Sequence, residues 1–188
     1  MTILKKAKNF LAPLPVILVT TRLKVNDVVR DNIIPLSWVG VVDSRPDLIN
    51  INISKGKYSG NIIRKTEQFG VCIPTYKHLE QVDKCGCTHG DKVDKFELVN
   101  FSKIEAKQIN VPLIMECPIN MECELEDIIP FKTHEMFIGK IVKTHIDDEY
   151  ILEDGNPDFK KIDILCYVNG EYWVLDRKVG NLFFTGKR

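Results

Sequence analysis

Residues 32–63 read NIIPLSWVGVVDSRPDLININISKGKYSGNII, apolar runs broken by side chains with chemistry to offer. Trp38 presents a flat apolar face and an indole donor, and Ser37 beside it carries a hydroxyl that donates and accepts. Such a pair suits one wall of a mostly apolar pocket with a few polar groups, or else Trp38 simply fills core. Farther along, Ser54, Lys55, Ser59 and Asn61 fall where a strand pattern gives way to a helix pattern. Free amides at a helix start attract anions, and Gly56 and Gly60 let backbone approach closely, so a phosphate fits this segment. The plainer reading is a capped turn with a solvated lysine. The segment is neither a Walker loop nor a GxGxxG fingerprint.

A second cluster, CGCTH at residues 85–89, groups thiols and an imidazole, all soft metal ligands that Cys117 and Cys123 could complete to a tetrahedral site. Its Cys-x-Cys-x-His spacing is not that of a zinc knuckle, and Cys117 and Cys123 flank a separate strand region, so no metal is expected. The six cysteines are scattered among strand patterns of a long chain, which predicts reduced thiols. No GxSxG elbow, HExxH helix or kinase signature occurs, leaving hydrolysis without visible machinery. Asn52-Ile53-Ser54 fits a glycosylation sequon but lacks a secretion signal to give it meaning.

The elements that must position these residues are mostly strands. Residues 15–21 (PVILVTT) and 33–42 (IIPLSWVGVV) read as strands, and 47–54 (DLININIS) alternates isoleucine with Asn and Ser, the period of a half-buried strand. Ser59 caps a predicted helix carrying Ile62 and Ile63 and ending about Gly70. GVCIPT returns to strand, and residues 75–86 form a short helix with Thr75 as its cap. The C-terminal half is rich in strand patterns, the last split by Asn169-Gly170, a strong hairpin signal. Many strands and few helices predict a barrel. The 188 residues, 44% hydrophobic and 28% charged, suffice for one domain spanning 1–188. Twenty-six basic residues balance twenty-six acidic ones with no long single-sign block, which disfavours nucleic acid and anionic membrane as partners. Pro13 and Pro15 interrupt the N-terminal apolar run, so neither a signal peptide nor a membrane span is read, and a cytoplasmic protein is expected.

The order of PVILVTT, NIIPLSW, SRP, NISKGKYSGNI, KTEQFGVCIP, CGCTHGDKVDKF and HEMFIGKIV resembles the flavin reductase-like, flavoredoxin-type family of FMN-binding split barrels, from about Pro15 to about Gly180. The resemblance implies a mainly β, Greek-key split barrel of six strands with a few helices, assembled as a homodimer. It further implies that Asn32, Ser37, Trp38, Ser54, Lys55, Ser59 and Asn61 lie in or beside the segments that hold FMN. An isoalloxazine ring needs such mixed walls, having an apolar end and a polar edge. His134, preceding FIG, is implied to face the flavin or the nicotinamide; its plainer reading is a strand-end histidine satisfied by backbone. The activity implied is an FMN-binding oxidoreductase, with NADH or NADPH as donor and free flavin, ferric iron or a redox partner protein as acceptor. The alternatives are a non-enzymatic electron carrier using the same site, and a flavin-binding or structural barrel without turnover. Few catalytic side chains are needed, because such a cofactor carries the redox chemistry.

Overall fold

The computed structural model describes residues 8–186. The expected domain, 1–188, extends past them at both ends, and the first seven residues of the segment read for a signal peptide lie outside them. In chain order the elements are β1 (Leu14–Pro15), β2 (Ile17–Val25), β3 (Val28–Leu36), β4 (Val39–Ser44), β5 (Asp47–Ser54), α1 (Tyr58–Thr66) and β6 (Gln68–Ile73). There follow a 3-10 turn (Tyr76–His78), α2 (Leu79–Cys87), α3 (Lys95–Val99), β7 (Lys103–Glu105), β8 (Pro112–Ile114), β9 (Ile119–Pro130) and β10 (His134–Ile146). A second 3-10 turn (Asp148–Tyr150), β11 (Leu165–Val168) and β12 (Glu171–Val174) complete the order.

Seven strands form the main antiparallel sheet in the order β3-β2-β6-β9-β10-β5-β4. Its two edges, β3 and β4, are consecutive in the chain and separated only by Ser37 and Trp38. A sheet whose edges are joined by two residues must curl until those edges meet, so the molecule is a barrel split at Ser37-Trp38. The predicted single strand over residues 33–42 is therefore two strands, and the barrel sheet has seven strands where the resemblance implied six. A side sheet, β1-β11-β12, and the pair β7-β8 flank it. The hairpin between β11 and β12 turns at Asn169 and Gly170, both at positive φ, as their sequence predicts.

Alternation along the strands sorts residues between two cores. Ile49, Ile51 and Ile53 of β5 point into the barrel with Ile17, Val19, Ile63, Phe69, Val71 and Phe137. Leu18, Ile33 and Cys72 face the other way, into a core closed by Val82 and Cys85 of α2 and Phe96 and Val99 of α3. Helix α1 buries Ile62 and Ile63, and Gly60 passes so close to Phe137 and Ile53 that a Cβ there would sit 3.4 and 3.6 Å from them. Two predicted features of α1 are corrected. Lys57, not Ser59, is the N-cap residue, because Ser59 lies inside the first turn and its hydroxyl is bonded to Asn32 instead. The helix stops at Glu67, whose backbone turns left-handed at φ 56°, and Gly70 belongs to β6. Thr75 likewise precedes the 3-10 turn before α2 without a side-chain cap bond to the backbone.

Candidate functional site

Helix α1 starts on one side of β3 and the α2–α3 connection lies on the other, leaving a cleft over Asn32 and Ile34. It holds two adjoining cavities, of about 400 Å³ and about 260 Å³, which share Ile34, Lys57 and Gly86. Asn32, Lys55, Ser59 and Asn61 line the larger; Ser37, Trp38, Ser54 and His134 line the smaller. Residues spread over a hundred positions of sequence thus meet at one cleft, because β3, β4, β5 and β10 converge where the barrel is split.

The larger cavity is net positive, the end of the cleft that suits an anion. Three lysines line it, Lys55, Lys57 and Lys95, against one carboxylate, Asp91, and none of the three forms an ion pair among the described residues. The first turn of α1 has no acidic residue and no side-chain cap, so its leading amides are left for a ligand. Gly56, at φ 81°, makes the left-handed link from β5 into that turn. Asn32 is buried: its Nδ2 donates to Ser59 Oγ at 2.8 Å, while its Oδ1 has no hydrogen-bond partner among the described residues. A Cβ added to Gly90 would overlap the Asn32 side-chain amide, so the loop after α2 closes down on this residue only because position 90 is glycine.

Lys95 was not singled out by sequence reasoning. It is 3% exposed, and its Nζ donates to the Cys85 carbonyl at 2.6 Å. Burial pulls its pKa below the ordinary lysine value, and the nearby Lys57 cation pulls the same way. Its segment, CTHGDKVDKF, is charged and glycine-bearing and reads as a loop. The only local signal was Asp94, whose carboxylate caps α3 by accepting from the Phe96 and Glu97 amides and so turns Lys95 inward.

The smaller cavity is a shelf. Trp38 is 46% exposed, which rules out a purely core-filling role, and its ring stacks on the His134 imidazole at 4.7 Å between centroids and 29° between planes. Both His134 nitrogens face hydroxyls, Nε2 to Ser54 Oγ and Nδ1 to Thr133 Oγ1, each at 2.9 Å. The backbone amide and side-chain Nδ2 of Asn52 both donate to the Trp38 carbonyl, at 2.9 and 3.0 Å, pinning the chain where it crosses the split. Ser54 therefore sits at the shelf, whereas Lys55, Ser59 and Asn61 sit at the anion end.

Of the neighbouring pair Cys85 and Cys87, only Cys85 lines the cleft. Cys85 is buried with its thiol pushed up to about 11 by desolvation, and Cys87 is exposed beside Asp83. All six cysteines are free, and among the described residues no group of three or more His, Cys, Asp or Glu is placed to hold a metal ion. No helix among them is long and apolar enough to cross a membrane.

Comparison with known proteins agrees with this architecture. The structure is similar to flavoredoxin from Methanosarcina acetivorans, with a TM-score of 0.89 and 29% identity over 100% of this chain and 98% of that one. It is similar also to flavoredoxin of Desulfovibrio vulgaris (Miyazaki F), with a TM-score of 0.91 and 27% identity over 100% of both chains. In sequence it is 31% identical over 138 residues to an uncharacterised protein of Archaeoglobus fulgidus, covering 73% of this chain and 77% of that protein. Residues 11–175 match the family described as flavin reductase like domain, and the chain belongs to that family.

Proposed function

We propose that the cleft binds FMN without covalent attachment and that the protein is an NAD(P)H-dependent reductase passing electrons to free flavin or ferric iron. The observation that carries this reading is the buried, unpaired Lys95 ammonium beside Lys55, Lys57 and the open start of α1, adjoining a half-exposed aromatic shelf. A buried cation without a counter-charge is costly, and an anionic ligand relieves it. These residues suit a phosphorylated chain ending in a flat heterocycle with a polar edge.

Bound flavin supplies the electron chemistry at its ring. The chain's own residues bind and orient. Lys55, Lys57, Lys95 and the α1 amides neutralise the phosphate, with Ser59 and Asn61 beside them. Ser37 and the backbone near the split bond the polar ring edge, and Trp38 walls the ring. His134, its nitrogens committed to Ser54 and Thr133, acts as a positioned wall. Exposure of Trp38 leaves room for a nicotinamide to lie flat, the proximity that hydride transfer requires. A homodimer accompanies this reading: Val41 and Val42 on edge strand β4 are 86% and 46% exposed, and a second copy would cover them.

The test is anaerobic mixing of the FMN-loaded protein with NADH or NADPH. Bleaching of the flavin, reversed by added FMN or a ferric chelate, is expected. A second reading, electron carriage without nicotinamide, is favoured by the full-length likeness to two proteins named flavoredoxin. It predicts flavin that stays oxidised with both nucleotides yet is reduced by dithionite or a partner protein. A chain that binds no flavin would rule out both.

A further inference from the structure

Residues 88–94, which join α2 to α3, are fastened at their ends. Thr88 Oγ1 donates to the Lys84 carbonyl at 2.7 Å, and the Asp94 carboxylate caps α3. Between them the Lys92 amide donates to the His89 carbonyl at 3.1 Å, a bond that stays inside the loop. Among the described residues, none of residues 89–93 bonds to or pairs with another element. The loop meets β3 where Gly90 lies against the Asn32 side-chain amide, and a cavity opens on each side of that contact. On one side is the anion end, lined by Thr88, His89, Gly90 and Asp91. On the other, the loop from Gly90 onward and residues Val29, Arg30 and Asp31 of β3 line a further cavity of about 290 Å³.

We propose that residues 88–94 are a gate over the anion end: the loop rocks on the Gly90–Asn32 contact toward the cavity beside Val29 and Asp31, admits an anion to Lys95, and settles back. This rests on the anion reading of the cleft above. Lys95, next in the chain, is so buried that an anion reaches its ammonium only if a neighbour moves. The loop is the neighbour with the fewest ties, and a segment with few bonds to break opens at low cost. The empty space behind it lets it tilt without displacing packed side chains. Tilting also takes Asp91, the one carboxylate lining the anion end, away from the incoming charge and toward Arg30 and Lys92. Settling back has its own reward. The Gly90 and Asp91 amides have no hydrogen bond among the described residues, and beside them Asn32 Oδ1 is a buried acceptor without one. A loop amide donating to that oxygen latches the gate over its ligand.

The test is stopped-flow FMN binding to the full chain and two variants at Val93, which lines the cavity behind the loop and is exposed, so neither change threatens the core. Val93→Phe fills that cavity and is expected to slow association and dissociation alike, by about fivefold, leaving Kd within about twofold. Val93→Gly enlarges it and should speed both. Amide hydrogen exchange supplies a second readout: bound FMN should slow exchange at residues 89–92, and Val93→Phe should slow it by about fivefold in the flavin-free protein. Rates unchanged in both variants overturn the proposal. So does a change in dissociation alone, which would make Val93 a ligand contact, or exchange at residues 89–92 that neither FMN nor Val93→Phe slows. If the unaltered chain binds no FMN, the flavin reading fails, and exchange in the flavin-free protein then decides by itself whether the loop moves.

Discussion

Two buried charges, Glu122 on β9 and Lys95 at the start of α3, differ in how completely they are satisfied. The Glu122 carboxylate accepts from the Lys107, Gln108 and Ile109 amides at 2.8, 2.7 and 3.1 Å and from His145 Nε2. Lys95 has one carbonyl and an open cavity. A charge whose bonding capacity is filled from within the fold holds the fold together, here by tying residues 107–109 to the barrel. A charge left short is held ready for something else. The same difference separates the cleft's two ends, because the shelf's His134 has a partner for each nitrogen, whereas the anion end's three lysines form no ion pair among the described residues.

The largest effect should come from breaking the satisfied charge. Glu122→Gln turns one of the two acceptor oxygens into a donor facing N–H donors and is expected to cost about 3 kcal/mol of stability, read from denaturant unfolding. Burial alone would raise the Glu122 pKa, but the Lys107 amide, His145 and the Gln108 and Ile109 amides outweigh it and hold it below the ordinary 4.5. A carboxyl with a depressed folded pKa contributes stability in full above its unfolded value and loses it as pH falls through the folded value. The variant should therefore show a shallower acid limb below about pH 4.5 than the unaltered protein. Unchanged stability would mean that the three amides are served as well by water.

Lys95→Met should do the opposite. Removing an unpaired buried cation is expected to leave the flavin-free protein as stable or slightly more so, while FMN affinity falls on the order of a hundredfold. Riboflavin, without the phosphate, should lose far less. The pH dependence has its own sign. A lysine whose folded pKa is lowered binds fewer protons folded than unfolded, so flavin-free stability gains from this group as pH rises from the folded value toward 10.5. That alkaline gain should vanish in Lys95→Met. A large stability loss together with equal losses for FMN and riboflavin would make Lys95 a structural residue like Glu122.

A smaller change tests how the anion end is shaped. Gly90→Ala would drive a methyl into the Asn32 amide, forcing either the loop or the Asn32–Ser59 bond to give. Overpacking of that kind costs about 1–3 kcal/mol, so FMN affinity should fall roughly tenfold. An unchanged titration would show that the loop moves aside freely.

Much of this arrangement was legible in the sequence, and the exceptions share a cause. The alternation of residues 47–54, the Asn169-Gly170 hairpin and the β10 segment HEMFIGKIVKTHI describe themselves through local periodicity and turn chemistry. All eight residues picked for the site line one cleft, since strand ends gather where the barrel is split. The missed features depend on contacts distant in sequence. Nothing local tells Lys95 that it is buried under the Cys85 carbonyl. Nor does the Ser59 hydroxyl reveal that Asn32, on strand β3, takes it from the capping role its spacing suggested. The interruption at Ser37-Trp38 is likewise invisible in a continuous apolar run, because it follows from the closure of seven strands.

The smallest expected effect lies at the shelf. Ser54→Ala removes the hydroxyl facing His134 Nε2, a bond worth about 0.5–1.5 kcal/mol in a half-exposed setting. His134 would keep its stack on Trp38 and its contact with Thr133, so its ring should hardly move. FMN affinity is therefore expected to change less than about threefold, well short of the Lys95→Met loss. Reduction by NADH should be the more sensitive readout, because a slightly looser imidazole alters how the nicotinamide seats more than whether the phosphate is held. Stopped-flow reduction and FMN titration on the same preparation separate the two. A Ser54→Ala protein that lost FMN as badly as Lys95→Met would place the binding energy at the shelf and reverse the contrast between satisfied and unsatisfied groups.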